Sequence, residues 1–347
     1  MSLPELTLAR LGWSPFFGEQ ISPDESRTCQ PVRVMSVHRG RVTVSGEEFE
    51  DSIPSSLPVQ GKAEDRPTVG DWLLIDRDTR TIVRILHRTS LLKRPAPGDS
   101  RRVQLIAANV DTLFVVTSCD QDFNVARLER YLVLAREAGV CPVVVLTKAD
   151  LSPAPERFVE AARLLEAGLR VEVVNGREPG SAATLASYCS AGKTVAFVGS
   201  SGVGKSTLIG TLTGLEGIAT QAVREDDGKG RHTTTVRGMF RLKGDSEGGD
   251  GGGWLVDTPG MRELQMSEVT SGVTEVFDDV TAVALECRFA NCAHADEPGC
   301  AIRAAIADGA LDPARVDRWR KLVQEDAASS GGAAVRRSRP GKGARRR

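Results

Sequence analysis

An α/β domain on a mostly parallel sheet, with a small β-barrel before it and a helical metal-binding segment after it, is the architecture this sequence predicts. Three observations carry the prediction. Residues 31–90 hold short runs of period-two alternation broken by glycine and proline. Residues 98–265 alternate β-rich runs with helical stretches, as a parallel sheet covered on both faces requires. From Ser271 the signal turns helical again, interrupted by three cysteines and a histidine. At 347 residues the chain exceeds what one core usually supports, so two or three domains are expected.

Taken in order, residues 1–30 form an extension whose apolar cluster, Trp13, Phe16 and Phe17, is expected to pack on the barrel. In residues 31–97, "VRVMSVHRGRVTV" and "DWLLIDRDTRTIVRIL" supply the barrel strands, with Gly40, Gly46, Gly61, Pro67 and Gly70 at the breaks. Phe49 and Trp72 are the only aromatics between residues 31 and 90, too few for a base-stacking platform. Any RNA contact there is expected to use shape and phosphates, through Arg39, Arg41 and the linker "LKRPAPGDSRR". Residues 98–268 carry the strands "DTLFVVTS", "VCPVVVLTKAD", "LRVEVVN", "TVAFVGSS" and "GWLVDTPG", spaced by helices such as "ARLERYLVLAREAG" and "PERFVEAARLLEAG". The Gly-rich insertion at 243–253 is expected to be a mobile loop. A helical segment, 269–325, and a tail, 326–347, complete the chain.

Composition narrows the class. The chain is 40% hydrophobic and 26% charged, and runs such as "LFVV" and "VVVL" are far too short to span a bilayer. No continuous apolar stretch precedes Trp13, so neither a secretory signal nor a membrane partner is expected, and the chain is placed in the cytoplasm. Scattered cysteines at 29, 119, 141 and 189 fit a reducing compartment. The last twelve residues hold seven cations and no acid, in a Gly, Ala, Ser and Pro-rich context. That reads as a disordered basic tail, drawn to a polyanion such as RNA or serving only solubility.

"GSSGVGKS" follows the apolar strand "TVAFV" and precedes a helix-like stretch, the context a phosphate loop needs. Gly199, Ser200, Ser201, Gly202, Val203, Gly204 and Thr207 belong to the turn and helix start whose backbone N–H groups close around phosphate oxygens. Lys205 reaches the β and γ oxygens, and Ser206 joins the shell of a Mg²⁺ ion. The nucleotide base is chosen elsewhere. After "VVVL" comes Thr147-Lys148-Ala149-Asp150. Guanine offers two adjacent donors that one fixed carboxylate, Asp150, accepts together, whereas adenine offers neither. Lys148 would lie along the base. Thr147 stands where GTPases commonly carry Asn, so the amide that ties the base to neighbouring loops is absent. After "VEVV", Gly176 offers a backbone N–H to the guanine carbonyl.

"LVDTPG" delivers Asp257 towards Mg²⁺ and Gly260 towards a γ-phosphate. In "DGKGRHTTT", Thr234 or Thr233 is the switch hydroxyl expected to complete the Mg²⁺ shell. These parts occur in an unusual order, with the base reader ahead of the phosphate loop. Moving the strand-helix units that precede residue 197 behind residue 265 restores the usual order, so the GTPase domain is predicted to be circularly permuted. A sheet tolerates this because its connections can be cut at the surface.

Cys287, Cys292, His294 and Cys300 have the spacing Cys-x4-Cys-x-His-x5-Cys. Three thiolates and an imidazole fill a closed tetrahedral Zn²⁺ shell, a structural site. Unligated cysteines are the alternative.

The permuted GTPase, the preceding barrel, "GRHTTT" and the Cys/His cluster together resemble the ribosome small-subunit-dependent GTPase family (RsgA/YjeQ-like), over residues 31–325. The resemblance implies an OB-fold barrel, a permuted P-loop GTPase domain and a zinc domain. It also implies a monomeric enzyme that turns GTP into GDP, binds the small ribosomal subunit and its rRNA late in maturation, and is stimulated by it. An RNA-binding scaffold with a slow nucleotide site is the rival reading, and an ATP-dependent kinase is disfavoured by Asp150. In "DTPGMREL", Met261 occupies the place where many GTPases put a water-orienting glutamine, so intrinsic hydrolysis is expected to be slow. His232 is the candidate for positioning water, an RNA contact being its other use; with Lys205 and Thr234 it forms the expected catalytic set.

Overall fold

A computed structural model describes residues 7–47, 49–58, 65–96, 99–214, 237–242, 252–257 and 270–334. The chain divides into two compact units, 1–264 and 265–347.

The first unit opens with two short helices, α1 (Pro15–Gly18) and α2 (Pro23–Thr28). Ser22 and Glu25 form a capping box at the start of α2, each side chain satisfying the other's free backbone N–H. Five antiparallel strands follow: β1 (Cys29–His38), β2 (Arg41–Gly46), β3 (Phe49–Pro54), β4 (Trp72–Asp76) and β5 (Ile82–Ile85). Their alternating residues Val32, Val34, Val42, Val44, Ile53, Leu73, Ile75 and Ile82 form one apolar cluster. Strand β1 is the hub, pairing with β4 through its first half and with β2 through its second.

The extension packs as expected from its aromatics. Trp13 meets the buried Trp72 edge-on with ring centres 4.7 Å apart, and Phe17 lies 5.8 Å from the same ring. Arg33 was not legible as a core residue, yet it is 1% exposed. Its guanidinium donates to the carbonyls of Leu11 and Asn109 and to Thr194 Oγ1 at 2.8 Å. Burial pushes its pKa down to about 10 despite the opposing pull of Asp111 and Asp71.

The segment expected as a linker is instead an antiparallel ribbon of β6 (Leu91–Ala96) and β7 (Asp99–Ala108). Its "PAPGD" turn signal reads equally well as a hairpin end, and the basic residues around it masked the strands. The α/β portion then runs β8 (Thr112–Ser118), α3 (Val125–Glu137), β9 (Cys141–Thr147), α4 (Glu156–Arg163), β10 (Arg170–Val174), α5 (Pro179–Ala182), β11 (Thr194–Val198), α6 (Lys205–Thr213), β12 (Arg237–Arg241) and β13 (Trp254–Asp257). The sheet order is β10-β9-β8-β11-β13-β12, parallel except for β12, which is antiparallel to β13. Strand β8 is buried along all seven residues, as an apolar run in a sheet covered on both faces must be. Counted from β11, the strand that leads into "GSSGVGKS", the units carrying the base-reading turn lie earlier in the chain but farther along the sheet. The permuted order is therefore realised in the sheet itself.

Strand β12 also pairs with β1, through Ser36 with Gly238 and Val37 with Arg237, so one eleven-stranded sheet joins the two portions of the first unit. The residues expected to form a mobile insertion lie, for 243–251, outside the described residues.

The second unit contains α7 (Thr270–Val276), α8 (Asp278–Ala284), α9 (Ala301–Ala307) and α10 (Pro313–Ala334). Its core includes Val276, Phe277, Val280, Ile302, Val316 and Trp319. Helix α10 runs to Ala334, so the tail expected from residue 326 is helical over its first nine residues. Ala327, Ala328, Ala333 and Ala334 are strong helix formers that the neighbouring Ser and Gly residues obscured. Residues 335–347 lie outside the described residues, and no described helix is long and apolar enough to cross a membrane.

Candidate nucleotide site and metal centre

The carboxyl ends of parallel strands form the crevice where α/β sheets bind ligands. Strand β11 ends there at Val198 and turns through the phosphate loop into α6. Gly199 has φ +141°, and a Cβ on it would sit 2.2 Å from the Val116 carbonyl oxygen of β8, so only glycine passes. Gly204 caps α6 in the left-handed region at φ +97°, against the Thr147 side chain. Ser200, Ser201 and Gly202 lie along this turn, Thr207 lies in the first turn of α6, and Val203 anchors the loop in the core at 1% exposure. Lys205 Nζ folds back onto the carbonyls of Gly199, at 2.7 Å, and Ser200. Ser206 follows in the first turn of α6, half-buried. Asp257 ends β13, one step beyond the Val256 that pairs with Ala196 of β11, which brings its backbone to the same edge of the sheet.

The "TKAD" turn approaches from the end of β9. Thr147 is 3% exposed, and its hydroxyl lies 2.6 Å from the carbonyl of Val203 and 3.2 Å from that of Thr117. Thr147 lacks the amide that Asn would offer the base, but its hydroxyl joins this turn directly to the phosphate loop. Lys148 has φ +55° and donates to Asp120 Oδ2 at 3.2 Å. Burial opposes ionisation of Asp120, but hydrogen bonds from Ser118, the Asp122 amide and Lys148 outweigh it and hold the carboxyl below the usual range. Asp150 sits exposed on the 3-10 turn Ala149–Leu151, unengaged among the described residues. Gly176 gives its carbonyl to Thr211 Oγ1 at 2.9 Å and packs against Leu208 of α6. Thr147 to Asp150, Gly176 and Gly199 to Thr207 thus share one end of the sheet, with Asp257 beside them. His232, Thr233, Thr234, Gly260 and Met261 lie outside the described residues.

Two residues at this site carried no signal in the sequence. Asp120 lies two residues past the end of β8, outside any motif, and Arg127, exposed in the first turn of α3, donates to Ser200 Oγ.

In the second unit the ligand atoms of Cys287, Cys292, His294 and Cys300 all lie within 4.8 Å of one another. His294 Nδ1 is 3.5 Å from Cys287 Sγ and 3.7 Å from Cys300 Sγ. Ligands at roughly 2.3 Å (sulfur) and 2.0 Å (nitrogen) from one tetrahedral ion stand about 3.5–3.8 Å apart, so this donor set fits a metal. The turn between Cys292 and Cys300 is held by Glu297, whose carboxylate accepts from the amides of Ala293 and Ala295, at 2.8 and 2.9 Å. His294 itself takes φ +59°. Burial, then the nearby Arg320 charge, lower the His294 pKa and favour the neutral, metal-binding imidazole. Its ring lies 5.4 Å from that of Trp319, and Arg320 donates to its carbonyl.

A family model described as RsgA GTPase matches residues 85–267. The small ribosomal subunit biogenesis GTPase RsgA of Mesorhizobium japonicum is 48% identical over 323 residues, covering 92% of this chain and 90% of the relative. The small ribosomal subunit biogenesis GTPase RsgA 2 of Vibrio vulnificus is 44% identical, covering 96% and 92%. Among solved structures, YjeQ from Thermotoga maritima superposes with a TM-score of 0.59 at 27% identity, over 86% of this chain and 98% of its own. YloQ, described as a circularly permuted GTPase, gives 0.56 at 22% identity over 90% and 97%, a likeness of fold. With the "GSSGVGKS" loop and the "TKAD" turn joined through Thr147 at one edge of the sheet, and with relatives matched over nearly their whole length, the chain is a GTP hydrolase that belongs to the RsgA GTPase family.

Proposed function

We propose that this GTPase acts in the cytoplasm, as a monomer, on the maturing small ribosomal subunit, engaging its rRNA and hydrolysing GTP faster when bound to it. The observation that carries the reading is the convergence of "GSSGVGKS" and "TKAD" at one sheet edge, in a chain whose curated relatives are named for small ribosomal subunit biogenesis. In this reading the backbone of Gly199 to Thr207 cradles the phosphates, with Lys205 turning from its loop carbonyls to the β and γ oxygens. Asp150 accepts from both guanine donors, Lys148 lines the base under the hold of Asp120, and the Gly176 N–H meets the guanine carbonyl. Ser206, Thr234 and Asp257 would hold Mg²⁺, which when bound with GTP neutralises charge on the phosphate oxygens. His232 orients water, an office that Met261 cannot fill.

Residues 31–97, with strands β1 to β5 as their core, are read as an OB-fold, one that touches RNA by shape and phosphate contacts, since Trp72 is buried and Phe49 is covered by Arg80 at 4.5 Å. Cys287, Cys292, His294 and Cys300 hold one structural Zn²⁺ in a zinc domain of residues 269–325, within the second unit. The basic tail adds salt-sensitive attraction. Co-sedimentation with purified small subunits tests the reading: the chain is expected to travel with them when loaded with a non-hydrolysable GTP analogue and to be released with GDP. Sedimentation apart from them in both states would refute it.

A further inference from the structure

The geometry points to Arg127 as a second phosphate-binding cation, one that recognises the γ-phosphate and so distinguishes GTP from GDP. The inference rests on the nucleotide reading of the phosphate loop. Arg127 stands in the first turn of α3, which Asn124 fixes by accepting from the Arg127 amide at 2.9 Å. Its guanidinium is exposed and reaches across to Ser200 Oγ. On the other side of the same residue, Lys205 Nζ takes the Ser200 carbonyl. Two cations therefore flank Ser200, one on its side chain and one on its backbone. The phosphate-loop lysine serves the β and γ oxygens, so a second cation beside it stands at the γ end of the cradle.

The chemistry of the contact supports a ligand. Among the described residues the Arg127 guanidinium donates to the neutral Ser200 hydroxyl and lies near the Tyr131 phenol, and no carboxylate neutralises it. An arginine at an anion-binding loop with its charge uncompensated is poised for an anion, and its planar fork suits two phosphate oxygens at once. Lys148, the third cation of the region, is by contrast already paired with Asp120 and is not available for phosphate. A simple pin between α3 and the loop is the competing explanation. It would use the Ser200 hydroxyl and care nothing for the γ-phosphate.

Dissociation constants of GDP and of a non-hydrolysable GTP analogue, measured by calorimetry on the full chain, separate the two. Arg127→Ala is expected to weaken the analogue about tenfold or more, the worth of a charged hydrogen bond, while GDP weakens less than about threefold. Arg127→Lys should recover part of the loss. Equal losses for both nucleotides in Arg127→Ala, the mark of a pin, or no loss, would overturn the assignment. Wild-type chain that bound neither nucleotide would instead overturn the reading of the loop.

Discussion

Replacing Thr147 by valine tests how far the base-reading turn and the phosphate loop behave as one body. Valine keeps the shape and loses only the hydroxyl. That hydroxyl is buried, has one proton to give, and directs it to the Val203 carbonyl at 2.6 Å, with Thr117 O as the longer alternative at 3.2 Å. Removing the donor leaves a buried carbonyl short of a partner, a loss of about 1–3 kcal/mol, or roughly 5- to 150-fold in an equilibrium constant. Because Val203 lies inside the loop, the loss should fall on nucleotide binding, and on GTP and GDP alike. Titration of a fluorescent GDP into wild type and Thr147→Val, with thermal unfolding of each alongside, reads it directly. Binding within about twofold of wild type would show that the loops do not depend on the bridge, and the account of why threonine serves in place of asparagine would fall.

Asp150→Asn should move preference from GTP towards xanthosine triphosphate, which presents an acceptor where guanine has its amino group; unchanged selectivity in a competition assay would remove Asp150 from the base site. One zinc per chain is expected from elemental analysis, and Cys292→Ser should lower both the metal content and the melting temperature of the second unit. Metal-free protein that melted as wild type does would contradict the structural role. The Arg84 hydrogen bond, first among several, holds the Glu25 carboxyl at about 2 against an ordinary 4.5. A depressed carboxylate stabilises the fold above its unfolded pKa and loses that contribution as pH falls from 4.5 towards 2. Glu25→Gln should therefore melt lower than wild type at pH 7, and the gap should close on acidification; a gap independent of pH would assign the effect to packing.

Local signals were legible because each rests on near neighbours in the chain. "TVAFV" followed by "GSSGVGKS" needs only its own backbone to make a strand, a glycine turn and a helix, and β11 and α6 fall where that pattern puts them. The aromatic extension was readable for the same reason: Trp13 and Phe17 had to be buried somewhere, and Trp72 receives them. What escaped depends on distance. Arg33 sits in an alternating run where a charged residue reads as solvent-facing, and its partners include Thr194, 161 residues away. Pairing of β1 with β12 is equally long-range. Thr147 was read by what it lacks relative to asparagine, because its acceptor at Val203 lies 56 residues on and only the folded sheet brings the two together.

The claim that the chain is a subunit-responsive GTPase is tested most directly by steady-state GTP turnover, measured alone, with purified small ribosomal subunits and with large subunits. Slow turnover alone and with large subunits, rising at least about tenfold with small subunits and saturating near one chain per subunit, is the predicted result. A rate that small subunits leave unchanged would contradict it, and with it the assignment of the small subunit as the partner that completes the site.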